Sequence, residues 1–336
     1  MEYASLGKSG IKVSKVSLGC WAFGGGDYWG NQEDDVKSLR TIDAALDQGI
    51  NFFDTAEVYG HDGHADRVLG RAMKGRRDRF VVATKVYLDR LREKDVIASL
   101  EDSLKRMETD YIDLFYPHFA SKTIPFEETF GAFLKLKEQG KIRSIGICNF
   151  GVRAMERMEK LDLMKEIDLH QVPYSLLWRT IEHGIQQKTV DAGIGMVCYS
   201  TMAQGLLTGR FRSVEDVPMN LRCSRFYDAK HIGADHGEAG CEKEVFEAVA
   251  ELECLCAEQG IELAPASLAW LLTRKGVDCI LTGPTTPEEL NENIRAMELK
   301  LPESLAEKLT AATEAVKEKL GENSDMWFSG EESRVF

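Results

Sequence analysis

A chain of 336 residues is long enough for one large α/β barrel or two medium domains, and its 43% hydrophobic and 29% charged residues are those of a soluble globular protein. The net charge of -13 argues against nucleic acid or an anionic membrane surface as the main partner, because both need basic patches. Met1 is followed at once by Glu2, with no basic and apolar leader and no apolar run long enough to cross a bilayer, so a cytoplasmic protein is expected.

In chain order, Ser5 to Gly19 gives two short strand patterns around Gly7-Lys8-Ser9-Gly10, a turn-like cluster suited to a hairpin. The pattern then alternates. Helical periodicity is predicted over 35–48, 65–73, 93–107, 126–139, 152–160, 182–192, 242–259 and 287–297. Strands are predicted over 50–54, 80–85, 112–118, 144–148, 169–174, 195–200 and 278–282. With Val16 to Gly19 as the first barrel strand, this makes about eight β-then-α units, the expectation for a (β/α)8 TIM barrel in one domain spanning 1–336. A doubly wound sheet competes, but no Gly-x-Gly-x-x-Gly follows an early strand, and Gly24-Gly25-Gly26 opens no helix. Residues 211–240 and the tail 320–336 lie outside the repeat and are expected as lids over the barrel mouth.

The eight cysteines show no Cys-x-x-Cys spacing, and Cys20, Cys148, Cys198 and Cys279 end apolar runs, as buried reduced thiols do. Cys254 and Cys256 point to different faces of one predicted helix, so no metal site is expected.

Barrel active sites sit where strands end at the C-terminal face. Asp54, Lys85 and His118 close the second, third and fourth strands, and Tyr59 lies in the second loop. Taken singly, each has an ordinary structural role as helix cap, packing ring or satisfied histidine. Together they make a proton-transfer group, in which a lysine held by a carboxylate lowers a tyrosine's pKa from about 10 toward neutral. The remaining histidines lack such company and are read as structural or surface residues.

The order Asp, Tyr, Lys, His resembles the catalytic tetrad of the aldo-keto reductases. The resemblance covers nearly the whole chain, through Gly19-Cys20-Trp21-Ala22-Phe23-Gly24, Asp54-Thr55-Ala56-Glu57-Val58-Tyr59-Gly60, Thr84-Lys85, Tyr111-Ile112-Asp113-Leu114, Gly146-Ile147-Cys148-Asn149-Phe150, Gln171-Val172-Pro173-Tyr174-Ser175, Tyr199-Ser200 and Gln204-Gly205-Leu206-Leu207-Thr208-Gly209. It implies hydride transfer between NAD(P)(H) and a carbonyl, with Tyr59 as general acid or base, assisted by Lys85, Asp54 and His118. It also implies a cofactor site. Asn149 and Gln171 would meet the carboxamide beside Cys148, where the family commonly has serine, and Tyr199 would stack under the nicotinamide. Gly19, Trp21, Asp54, Ser200, Met202, Gln204, Gly205 and Leu207 would line the nicotinamide and pyrophosphate, and Gly283, Thr285, Thr286, Glu289, Glu292 and Asn293 the adenosine. NADP-preferring members usually carry Lys or Arg near Gly283 to Thr286 and often Arg at the place of Glu289. A carboxylate there favours a free ribose hydroxyl over a 2′-phosphate, a lean to NAD(H), although Thr285, Thr286, Arg222 and Arg225 leave dual use open.

The substrate side is expected at Trp21, Phe23, Tyr59, His118, Phe119 and Trp327, with Trp29, Trp178 and Phe328 nearby. After the histidine this chain reads Phe119-Ala120-Ser121 where many relatives have Trp-Pro-Asp or Arg-x-Asp, so the substrate is specified no further than a small aldehyde, ketone or sugar carbonyl. The competing reading is a cofactor-binding regulatory subunit, of the kind some family members form with membrane channels, with incidental turnover. A metal-dependent barrel hydrolase needs more ligands than His118 and Asp54 supply. A monomer and a homo-oligomer are equally compatible with the sequence.

Overall fold

The computed structural model describes residues 1–25 and 35–336; Trp29, expected at the mouth, lies outside the described residues. Strands β1 (Tyr3–Ser5) and β2 (Lys12–Ser14) pair antiparallel. Eight parallel strands follow, β3 (Val16–Gly19), β4 (Phe52–Asp54), β5 (Val81–Val86), β6 (Ile112–Pro117), β7 (Ile142–Cys148), β8 (Ile167–Pro173), β9 (Gly195–Tyr199) and β10 (Val277–Thr282), and they close into a barrel in chain order. Strands such as β5, β6 and β8 are buried along their whole length, because helices cover one face and the barrel interior the other.

Alternation divides each strand between two cores. Inward side chains including Phe52, Ala83, Leu114, Tyr116, Leu169 and Val197 pack with Leu6, Ile11 and Val13 of the hairpin segment, which thereby plugs the N-terminal end. Outward residues such as Phe53, Val82, Phe115 and Ile147 belong to the larger core beneath the helices. Those helices are α1 (Asp35–Asp47), α2 (His64–Met73), α3 (Glu93–Met107), α4 (Phe126–Glu138), α5 (Val152–Lys160), α6 (Ile185–Asp191), α7 (Glu242–Glu258), α8 (Leu263–Leu272), α9 (Pro287–Arg295), α10 (Glu303–Ala312) and α11 (Glu314–Leu320).

Two departures from the sequence reading have clear causes. The helix that packs on β10 is α8, while α7 packs with α8, α10 and α11. Periodicity misses α8 because Leu263-Ala264-Pro265-Ala266-Ser267-Leu268-Ala269-Trp270-Leu271-Leu272 is apolar nearly all round and largely buried, and Pro265 falls in its first turn, where a missing N–H costs nothing. The helix expected over 182–192 starts only at Ile185, after a 3-10 turn at Thr180–His183 and Gly184.

Candidate active site

Asp54 ends β4 and is 1% exposed; register pairs it with Ala83, so Lys85, two residues further along β5, projects from the same inner face toward the C-terminal end. The Lys85 ammonium is fully buried, pairs with Asp54 Oδ1, donates to the Thr55 carbonyl at 2.8 Å and reaches the Tyr59 hydroxyl at 3.4 Å. Tyr59 comes from the loop after β4. That loop meets the loop after β3 backbone to backbone at two glycines: a Cβ on Gly60, whose φ is 78°, would stand 2.2 Å from the Gly24 carbonyl oxygen. The close approach brings the Trp21 ring to 6.0 Å from that of Tyr59. Glu57, buried in the same loop, accepts from the Tyr87 backbone N–H at 2.7 Å and from Ser99 Oγ at 2.6 Å, tying the Tyr59 loop to the loop after β5.

Burial alone would lower the Lys85 pKa, but the Asp54 carboxylate, joined by Tyr59 and Cys148, more than reverses it and keeps the ammonium charged. Tyr59 departs from the sequence expectation: burial raises its pKa above the ordinary phenol value, and Lys85 offsets only part of this. The phenol is therefore a fully protonated donor at neutral pH. His118 sits edge-on to Tyr59 at 5.9 Å. Burial first, then Lys85 and Arg334, push its pKa well below the usual 6.5, so the imidazole is neutral; its Nδ1 is buried without a hydrogen-bond partner among the described residues.

Two further polar side chains converge on the carboxylate. Tyr116 donates to Asp54 Oδ2, and Gln171 Nε2 donates to the same oxygen at 2.8 Å and to the Tyr116 hydroxyl at 3.1 Å. The sequence reading missed Tyr116, which stands two residues before His118 on a strand buried throughout and so looks like a core ring. The available signal was its place on the inward face.

On the expected cofactor side the residues fall into two groups. Cys148, Asn149 and Gln171 are buried and bonded to one another or to the wall: Cys148 Sγ donates to Gln171 Oε1 at 3.5 Å, and Asn149 donates to the His118 carbonyl at 3.1 Å and accepts from the Tyr199 hydroxyl at 2.8 Å. Gly19, Trp21, Tyr199, Ser200, Met202, Gln204 and Gly205 keep partly exposed surface, whereas Leu207 is buried. Ser200, Ala203, Gln204 and Gly205 all have positive φ; the Ala203 and Gly205 N–H groups bond the Ser200 and Met202 carbonyls at 2.8 and 2.9 Å and hold this tight turn together. Beyond them Gly283 and Glu292 are exposed and Thr285, Thr286 and Asn293 half-buried. Glu289, in the first turn of α9, accepts from the Thr285 N–H at 2.7 Å and hydroxyl at 3.0 Å. This surface and donor set fit a nicotinamide dinucleotide, with a carboxylate fixed where the adenosine end is expected.

Of the two arginines considered as phosphate partners, Arg225 is committed elsewhere and Arg222 is engaged through only part of its guanidinium. Arg225 is 3% exposed and donates to the Asn323 carbonyl at 2.6 Å, the Leu320 carbonyl at 2.8 Å and Glu238 at 2.8 Å. Arg222 donates to the Val217 and Glu215 carbonyls at 2.8 and 3.0 Å.

On the substrate side Trp21, Tyr59, His118 and Trp327 are half-buried. Phe23, expected on the rim, is 1% exposed and belongs to the core, and Trp178 is fully buried with its ring edge-on to Phe226 at 5.1 Å. Phe119 is also buried but stacks on His118 at 5.2 Å. Sequence reasoning overlooked Tyr87, whose ring meets His118 at 5.8 Å, and Arg334, whose guanidinium covers Phe119 at 4.2 Å.

A closed eight-stranded barrel plugged by a hairpin, with phenol, ammonium, carboxylate and imidazole gathered at its C-terminal end, defines the class of NAD(P)-dependent barrel oxidoreductases. Residues 15–314 match the model of the aldo/keto reductase family, and the chain belongs to that family. It is 34% identical over 301 residues to aldo-keto reductase YhdN of Bacillus subtilis, covering 86% of this chain and 87% of that one. It is 30% identical over 314 residues to a probable voltage-gated potassium channel subunit beta of Arabidopsis thaliana, covering 89% and 92%. Among solved structures, the thermostable aldo-keto reductase Tm1743 in complex with the inhibitor epalrestat matches with a TM-score of 0.74 at 30% identity, covering 93% of this chain and all of that one. No described helix is long and apolar enough to cross a membrane.

Proposed function

We propose that the protein reduces small aldehydes or ketones, sugar carbonyls included, at the expense of NAD(P)H, with Tyr59 as the proton donor. The observation that carries this is the 3.4 Å approach of the buried Lys85 ammonium to the Tyr59 hydroxyl. A bound reduced nicotinamide supplies the hydride. As a carbonyl oxygen gains negative charge, Tyr59 gives it the phenolic proton; an alkoxide is far more basic than a phenoxide, so the transfer is downhill even from a phenol of raised pKa. The tyrosinate left behind lies against Lys85, whose charge is held in place by Asp54. Neutral His118 orients the carbonyl oxygen through a ring N–H. In the reverse direction the tyrosinate is the base that takes the alcohol proton.

Asn149, Gln171, Tyr199, Ser200 and the turn through Gly205 are proposed to hold the nicotinamide and pyrophosphate, and Thr285, Thr286, Glu289, Glu292 and Asn293 the adenosine. The Glu289 carboxylate supports NAD(H) as the preferred form. Segments 211–240 and 320–336 are proposed to close the mouth.

The test is consumption of NADH or NADPH with a panel of small aldehydes and ketones. Turnover that depends on Tyr59 supports the reductase. Tight cofactor binding with no turnover on any carbonyl overturns it in favour of a regulatory subunit, a reading prompted by the channel-subunit relative.

A further inference from the structure

We propose that Arg334 forms an anion subsite at the barrel mouth, and that the preferred substrates are small carbonyl compounds carrying a carboxylate or phosphate a few atoms from the C=O. This rests on the carbonyl-reducing function proposed above and narrows its substrate class.

The rings around Tyr59 make an aromatic collar. Trp21 faces Tyr59, Tyr59 meets His118, and His118 meets both Tyr87 and Phe119. Among the described residues, the cations whose charge bears on His118 are Lys85 and Arg334. Lys85 is fully buried and committed to Asp54 and Thr55. The Arg334 guanidinium lies over the Phe119 ring at 4.2 Å, and Phe119 in turn stacks on His118 at 5.2 Å. The guanidinium also covers Phe328 at 4.5 Å and Trp327 at 5.7 Å, so three rings fix its plane.

One edge of this guanidinium is used and the other is not. Nε and Nη2 grip the Asp325 carboxylate at 3.0 and 2.8 Å, while Nη1 has no hydrogen-bond partner among the described residues. Asp325 is oversupplied with donors: beyond the fork it accepts from the backbone N–H groups of Trp327, Phe328 and Arg334 at 3.1, 3.3 and 2.8 Å. Its charge is thus shared with the backbone, and the guanidinium keeps positive character for a second anion. The side chain remains 19% exposed. A rigid, partly desolvated fork walled by rings binds an anion more strongly than a mobile surface cation, because little side-chain entropy is lost and the surroundings screen poorly. An anionic group there would leave a short chain's carbonyl facing His118 and Tyr59.

The test compares kcat/KM within two matched pairs, succinic semialdehyde against its methyl ester and glyceraldehyde 3-phosphate against glyceraldehyde. The wild type is expected to favour the anionic member of at least one pair, and the pair that shows it distinguishes carboxylate from phosphate. Arg334→Met, and the double variant Asp325→Asn/Arg334→Met that avoids an unpaired carboxylate, should lower the anionic-to-neutral ratio roughly ten- to a hundredfold, chiefly through KM. Should neither variant fold, the wild-type preference must still shrink as ionic strength rises. Equal rates within both pairs, a ratio unmoved in the folded variants, or a preference indifferent to salt would overturn the subsite while leaving the reductase intact. Failure to reduce any of the four compounds while other small aldehydes or ketones are turned over would overturn the subsite alone; only the absence of turnover on every carbonyl would overturn the reductase and the subsite with it.

Discussion

The phenol of Tyr116 donates to Asp54 Oδ2, the oxygen opposite the one that receives the Lys85 ammonium. With Gln171 on the same oxygen, the carboxylate cannot swing away from the lysine that supports Tyr59. Tyr116→Phe should therefore lower kcat about tenfold, leave cofactor affinity nearly unchanged and cost about 1–2 kcal/mol of stability. Steady-state kinetics alongside urea unfolding check this. Lost stability at full kcat would make Tyr116 a packing residue only.

Arg225 joins the 211–240 segment to the chain's last residues. Beyond its side-chain bonds, its backbone N–H donates to the Met326 carbonyl at 2.9 Å. Arg225→Met leaves the Leu320 and Asn323 carbonyls without their donor, at a cost of about 3 kcal/mol. Limited proteolysis should then cut within 320–336 at conditions the wild type survives, and the substrate KM should rise. An unaltered digestion pattern would show that the tail holds without the clamp.

Glu289 is fixed by the Thr285 N–H and hydroxyl, so its charge stays at the start of α9. Glu289→Arg should raise the ratio of kcat/KM with NADPH to that with NADH roughly tenfold or more, because a like-charge repulsion becomes an attraction. An unchanged ratio would place the 2′ position elsewhere.

His170 is fully buried; its Nε2 accepts from the Phe150 N–H at 3.3 Å and its Nδ1 lies 3.0 Å from Thr189 Oγ1. Burial lowers its pKa from 6.5 to about 3. The unfolded chain thus binds a proton that the folded one refuses, so this contribution is complete above pH 6.5 and is lost as the pH falls toward 3. His118 shifts in the same direction. Between these limits His170 adds a slope of up to about 1.4 kcal/mol per pH unit. Urea midpoints across this range should fall less steeply for His170→Gln than for the wild type.

The barrel was legible because hydrophobic period and turn residues act locally, and because strand-end polar residues stand out against apolar runs. Asp54 and Lys85 were legible for that reason. Helix α8 was not, since a segment buried on nearly every side loses the amphipathic period that announces a helix. Tyr116 was hidden as one ring in a buried strand. The partners of Arg225 and Arg334 were illegible, because the carbonyls that Arg225 meets, and the Asp325 carboxylate and rings that Arg334 meets, are brought near only by the folded tail. The sign of the Tyr59 shift also required coordinates: the sequence shows which charges approach, not how much water is removed.

The central claim is that Tyr59 protonates the nascent alkoxide, and the direct measurement is single-turnover oxidation of bound NADH or NADPH by a small aldehyde in Tyr59→Phe, with cofactor affinity measured in parallel. Affinity should stay close to wild type while the reaction slows by roughly a hundredfold or more. A variant that binds cofactor and reduces the aldehyde at the wild-type rate would contradict it.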